Sequence, residues 1–188
     1  MTLLILGLVL FLGAHTFTAQ RQLRQLALTR LGDGPYKGVY SLVSAAGIVL
    51  IVIGFGRYRH AGYIAIWDPP AGLHVVTLML MWVSFVSLAA AYSPLGKIKS
   101  SLRHPMLVGV KAWALAHLLA NGDLGSILLF GGFLAWAVYD RISLKRRGDA
   151  GAAASGATIG DAIALIVGSG AYAAMWWLHP IAFGVAIG

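Results

Sequence analysis

Cysteine and glutamate are both missing from this chain. Without thiols there can be no disulfide, thiolate metal site, iron–sulfur cluster or sulfur nucleophile. Acid is limited to six residues, all aspartates and all in or beside loops. A carboxylate-bridged di-metal centre, which takes several inward-facing glutamates from a helical bundle, is therefore excluded. Charge of either sign is scarce, at 11% of 188 residues against about 25% in an ordinary soluble domain.

What remains is apolar. Hydrophobic residues make up 59% of the chain, and the mean hydropathy is +0.81. A soluble fold of this size could not hide that much apolar surface, so lipid must solvate part of it. The formal charge of +8 could point to nucleic acid. Its basic residues, however, sit in short loops between apolar runs, where they set membrane topology and do not form a phosphate-binding face.

A hydrocarbon core of about 30 Å needs about 20 apolar residues per helix. Runs of suitable character cover residues 2–20, 36–56, 72–92, 105–120, 124–140 and 162–180. The expected fold is therefore all-α: one polytopic helical bundle of about six transmembrane spans, with no water-soluble domain. Met1 to Leu12 has no basic flank and no small-residue cleavage site after it, and reads as a retained first span. Pro105 suits a first helical turn. Asn121-Gly122-Asp123 reads as a tight turn joining the fourth and fifth runs into an antiparallel hairpin. Gly131-Gly132 suggests close helix approach, and the Gly/Ala/Ser stretch 148–160 reads as a flexible linker.

Loop charge sets the orientation. The first, third and fifth loops hold Arg21, Arg24, Arg30, Lys37, Lys97, Lys99, Arg103, Arg141, Lys145, Arg146 and Arg147, eleven of the 14 basic residues. The positive-inside bias places these loops in the cytoplasm and both termini outside.

Polar groups inside spans are costly and mark function by default. Here they are His15, His74, His104, Lys111 and His117. Each also has a bland reading, as an interhelical bridge, an interfacial group or a snorkelling lysine. His104 and His117 lie 13 residues apart, roughly 20 Å along one helix, so they cannot ligate one metal atom. His74 and His117 fall near the outer leaflet, and His15 falls nearer to His104. Two imidazoles at one level form the usual arrangement for haem in a bundle. Zinc or copper would also accept imidazole, although few carboxylates are present to complete such a site. The tryptophans, Trp113 among them, read as packing and interfacial anchors.

Several motifs carry a resemblance. Leu102-Arg103-His104-Pro105-Met106 through Gly109, then Trp113-Ala114-Leu115-Ala116-His117 through Asp123, resembles the signature of the NnrU family. Leu128 to Phe133, Gly13-Ala14-His15 and Trp67-Asp68-Pro69-Pro70 match as well. The resemblance implies a multi-pass protein of the bacterial inner membrane. Some family members are associated with denitrification, and the family includes the plant and cyanobacterial zeta-carotene isomerase, a haem b enzyme. By motif, His117 is the implied metal ligand and His15 its usual partner, with His74 as an alternative. His104, Arg103 and Trp113 join the cofactor-binding candidates. A straight six-span arrangement separates His15 from His117 by most of a leaflet, so the pairing stays open.

The implied function is a haem-b-binding membrane protein, either a carotenoid cis–trans isomerase-like enzyme or a redox or assembly factor in nitrogen oxide metabolism. The expected partners are the lipid bilayer, a hydrophobic polyene or small redox ligand, and a membrane protein or second copy. Two other classes compete. One is a non-catalytic accessory subunit with structural histidines. The other follows from Arg103-His104-Pro105 with Gly109, which is similar to a motif of membrane S-adenosylmethionine-dependent methyltransferases. Those enzymes also need an acidic residue downstream, usually the glutamate this chain lacks.

Overall fold

Apolar runs become helices here, and the breaks fall where glycine, proline or a capping side chain interrupts them. The computed structural model describes residues 1–185 and 187. Among these, the regular elements are eight helices: α1 Thr2–Ala19, α2 Arg21–Leu31, α3 Asp33–His60, α4 Leu73–Tyr92, α5 Lys97–Leu102, α6 Pro105–Ala120, α7 Leu124–Arg146 and α8 Ile159–Phe183. Five of them, α1, α3, α4, α7 and α8, are long and apolar enough to cross a membrane. The sixth expected span, α6, has 16 residues and is the short one, about 24 Å against a core of about 30 Å. The expected first loop contains a helix of its own, α2, which the apolar runs alone do not reveal.

The chain divides into two compact units, residues 1–69 with 121–143 and residues 70–120 with 144–188. In the first unit, α1 and α3 meet at backbone distance. A Cβ added at Gly7 would stand 2.6 Å from the Ile51 nitrogen, and one at Gly47 would stand 2.8 Å from the Phe11 nitrogen. One at Gly54 would strike the Leu4 backbone. With hydrocarbon outside, close packing of small residues is a main source of helix association. The expectation placed on Gly131-Gly132 is corrected: nothing lies within 4 Å of a Cβ at Gly131, and Gly132 meets only Leu12 and Leu8 side chains. α7 is instead joined to α1 through larger groups such as Phe133, whose ring lies 5.4 Å from that of Phe11.

The expected hairpin of the fourth and fifth runs falls across the boundary of the two units, since the chain passes from one to the other at Asn121. The start of α7 is tied to the segment after α3. The Gly122 carbonyl accepts the Ile66 and Trp67 N–H groups, and the Leu124 N–H donates to the Ile64 carbonyl. A side chain at Gly122 would collide with the Trp67 carbonyl, so this turn requires glycine.

In the second unit, α4 packs on both α6 and α8. The buried Ser84 hydroxyl donates to the Gly109 carbonyl at 2.9 Å, and Gly168 admits the Val86 backbone. The stretch 148–160 is a strap held at several points and not the expected flexible linker. The Ala152 N–H donates to the Arg103 carbonyl at 2.8 Å, and Thr158 Oγ1 donates to the Leu95 carbonyl at 2.8 Å. Asp161 then accepts three backbone N–H groups, those of Lys97, Ile98 and Thr158, and so joins the starts of α5 and α8.

Candidate functional site: the histidines and their surroundings

Each unit holds its own histidines. In the first, α1 presents His15 half-buried towards α3 and α7. Its Nδ1 lies 2.7 Å from the Phe11 carbonyl one turn back. A carbonyl can only accept, so Nδ1 carries the hydrogen, and in the neutral ring the lone pair sits on Nε2. That atom lies 2.9 Å from the Tyr40 hydroxyl of α3. The Trp136 indole of α7 meets the His15 ring edge-to-face at 5.4 Å. Trp136 Nε1 is buried and, among the described residues, has no hydrogen-bond partner. One turn from His15, Thr18 Oγ1 and the Tyr36 hydroxyl are 2.8 Å apart. This is a polar seam in an otherwise apolar unit.

In the second unit, His117 repeats the first half of that pattern. Its Nδ1 lies 2.9 Å from the Trp113 carbonyl, which again places the neutral ring's lone pair on Nε2. The Trp113 ring packs on it with centroids 5.3 Å apart. Thr77 Oγ1 reaches the Ala116 carbonyl at 3.5 Å, so the first turns of α4 meet the last turn of α6. His74, one turn before Thr77, therefore stands at the same end of the α4–α6 pair as His117 and is exposed. His179 near the end of α8 lies within electrostatic reach of His117, and its own Nδ1 donates to the Val185 carbonyl at 2.7 Å. Sequence reasoning gave His179 no role. Its position at a span end beside Trp176 and Trp177 was the available signal.

His104 occupies the opposite end of α6 from His117. It follows Arg103, whose φ of 60° is a left-handed backbone held by the strap. The His104 side chain is largely covered. Its Nε2 is buried, has no hydrogen-bond partner among the described residues and lies 4.0 Å from an Asp149 carboxylate oxygen. The Arg103 side chain is exposed, and Lys111 is half-buried on α6. Of the expected cofactor set, the second unit thus brings His74, Trp113 and His117 to one end and sends Arg103 and His104 to the other. His15 belongs to the first unit.

Among the described residues, no three histidine or aspartate side chains converge to hold a metal ion. This does not suit a zinc site with three or four protein ligands. It leaves centres served by one or two imidazoles, the number haem takes axially.

The family model described as NnrU protein matches residues 3–187. The chain belongs to the NnrU family. The match spans both units, so both His15 and His117 lie within the NnrU region. No curated protein and no solved structure matches the chain.

Proposed function

We propose that this NnrU protein is a multi-pass inner-membrane protein that binds haem b through histidine, with His117 as the principal axial ligand. One observation carries the reading. The Nδ1–H of His117 is committed to the Trp113 carbonyl, and this fixes the tautomer whose Nε2 lone pair can ligate iron. The second-sphere bond that a ligating histidine requires is thus already made by the helix. Within the same unit His74 is the candidate partner, and His15, with the same Nδ1 arrangement, is the one implied by family resemblance. Trp113 walls one face of the His117 ring and restricts its rotation. Bound haem b would supply a redox-active iron able to open an axial position to a small ligand or a polyene. This fits a cis–trans isomerase-like enzyme or a redox or assembly factor in nitrogen oxide metabolism.

A second reading rests on His15 itself. With Phe11 on one nitrogen and Tyr40 on the other, its ring already makes both of the bonds a structural bridge between α1 and α3 would make. That favours an accessory protein with structural histidines.

Oxidised and reduced absorption spectra of the detergent-purified protein decide between the two. The proposal expects a sharp reduced band that is lost in His117→Ala and in one of His74→Ala or His15→Ala, and retained in His104→Ala. A colourless protein after expression with ample haem overturns it in favour of structural histidines.

A further inference from the structure

We propose that α2 is an interfacial helix that seats the first unit on the anionic surface of the membrane. The inference rests on the membrane-spanning reading of α1 and α3. These are two of the helices with the length and composition to cross, and α2 is the whole connection between them. Gln20, with extended backbone at φ −84° and ψ 99°, ends α1, and Gly32 at φ 81° ends α2. The connection therefore folds as a separate rod of 11 residues, about 16 Å long, close to where both spans leave the bilayer.

None of the α2 residues is buried. Leu23, Leu26 and Leu31 are 40%, 49% and 51% exposed, a large apolar area for so short an element. At 100° per residue, Leu23, Leu26, Ala27 and Leu31 fall on one side and Arg21, Gln25 and Thr29 on the other, which also carries the half-buried Leu28. Gln22 stands at the border, one turn before Leu26. Arg24 borders the leucine stripe. Arg30 enters it in the last turn, where a long side chain can lay its methylenes along apolar surface and carry its guanidinium up to a phosphate. No acidic residue occurs before Asp33. An exposed apolar stripe, three arginines and no acid complement one partner: acyl chains below and anionic phospholipid headgroups at the level of the guanidiniums.

Because the chain lacks cysteine, single nitroxide labels can be placed on the full-length protein at Gln25→Cys, Leu26→Cys and Val49→Cys. The labelled proteins go into phosphatidylcholine vesicles with and without phosphatidylglycerol. Val49, 54% exposed on α3, is the reference for a residue inside the bilayer. If its label meets a water-soluble nickel chelate more readily than oxygen, the membrane reading has failed and the α2 proposal falls with it. With that reference satisfied, the label at 26 is expected to collide with oxygen severalfold more than with the chelate, and the label at 25, about opposite the centre of the leucine stripe, the reverse. The label at 26 should lose depth in pure phosphatidylcholine, and equally in Arg21→Gln/Arg24→Gln/Arg30→Gln in anionic vesicles. A label at 26 as wet as that at 25 overturns the proposal. So does one shielded from both reagents, which would place α2 against another protein. Equal depth in both lipids overturns the assignment of the arginines to anionic headgroups.

Discussion

The two units hold their helices together by different means. In the first, α1 and α3 touch through glycine, with Gly7, Gly47 and Gly54 each facing the partner's backbone. In the second, α4 meets α6 through a serine hydroxyl that donates to a carbonyl, and an aspartate ties the starts of α5 and α8. Lipid tails are as apolar as leucine, so neither pair can rely on hydrophobic exclusion of water. Close packing and interhelical hydrogen bonds are what remain. The first unit is set apart by glycine–backbone contact repeated along one helix pair. Hydrogen bonds also join α1 and α3 at His15–Tyr40 and Thr18–Tyr36, and Gly168 admits the Val86 backbone in the second unit. The histidines differ as well, since His15 is bonded across the α1–α3 seam, whereas the His117 Nδ1 bond to Trp113 stays within its own helix.

The largest expected effect breaks the glycine seam. Gly54→Leu must push α1 and α3 apart, because even a Cβ there strikes the Leu4 backbone. The expected loss is about 1–3 kcal/mol or more. Gly131→Leu enters open space and should stay within about 0.5 kcal/mol of wild type. Unfolding midpoints in detergent check the pair, and equal losses would show that the glycine contacts do not hold the first unit.

Next comes the cap at the start of α7. Asp123 is 7% exposed, and burial alone would raise its pKa. The Ser126 hydroxyl and N–H, the Tyr58 hydroxyl and the Arg59 charge outweigh that, and its carboxyl titrates below the ordinary 3.8. A depressed folded pKa stabilises the fold above the unfolded value, and this contribution is lost as pH falls through the folded one. Asp123→Ala should therefore cost about 1 kcal/mol near neutrality. The gap to wild type should narrow as pH drops from about 4, where the unfolded carboxyl begins to bind a proton, to the lower pH at which the native cap is itself protonated. A gap independent of pH would mean that Asp123 acts through packing and not through its charge.

The existence of the long helices was legible because twenty-residue apolar runs permit little else. What was missed depends on contacts between distant residues. The strap looks flexible in its composition, yet Arg103 and Ser100 hold its backbone and Leu95 holds its Thr158 hydroxyl. The glycines that matter are scattered along α1 and α3, whereas the eye is drawn to the adjacent pair in α7. α2 was hidden because its arginines served to end a span, although Gln20 and Gly32 set them on a helix of their own. For the site, the sequence separated the two ends of α6 from residue spacing alone. Spacing could not show that Tyr40 meets His15, because 25 residues and a second helix lie between them.

The smallest expected effect bears most on function. Tyr40→Phe removes the bond to His15 Nε2 and leaves the Phe11 bond in place. Interhelical hydrogen bonds in membranes average about 0.6 kcal/mol, so the loss of stability should be slight. The consequence for cofactor retention differs between the two readings. If His15 is a structural bridge, the substitution lowers stability a little and leaves any haem spectrum unchanged. If His15 is a ligand, Tyr40 competes with iron for the same lone pair, so Tyr40→Phe should raise haem retention while lowering stability. Parallel measurement of the unfolding midpoint and the haem-to-protein ratio separates the two. A fall in retention with unchanged stability would contradict both, and would place the Tyr40 hydroxyl in the cofactor's own surroundings.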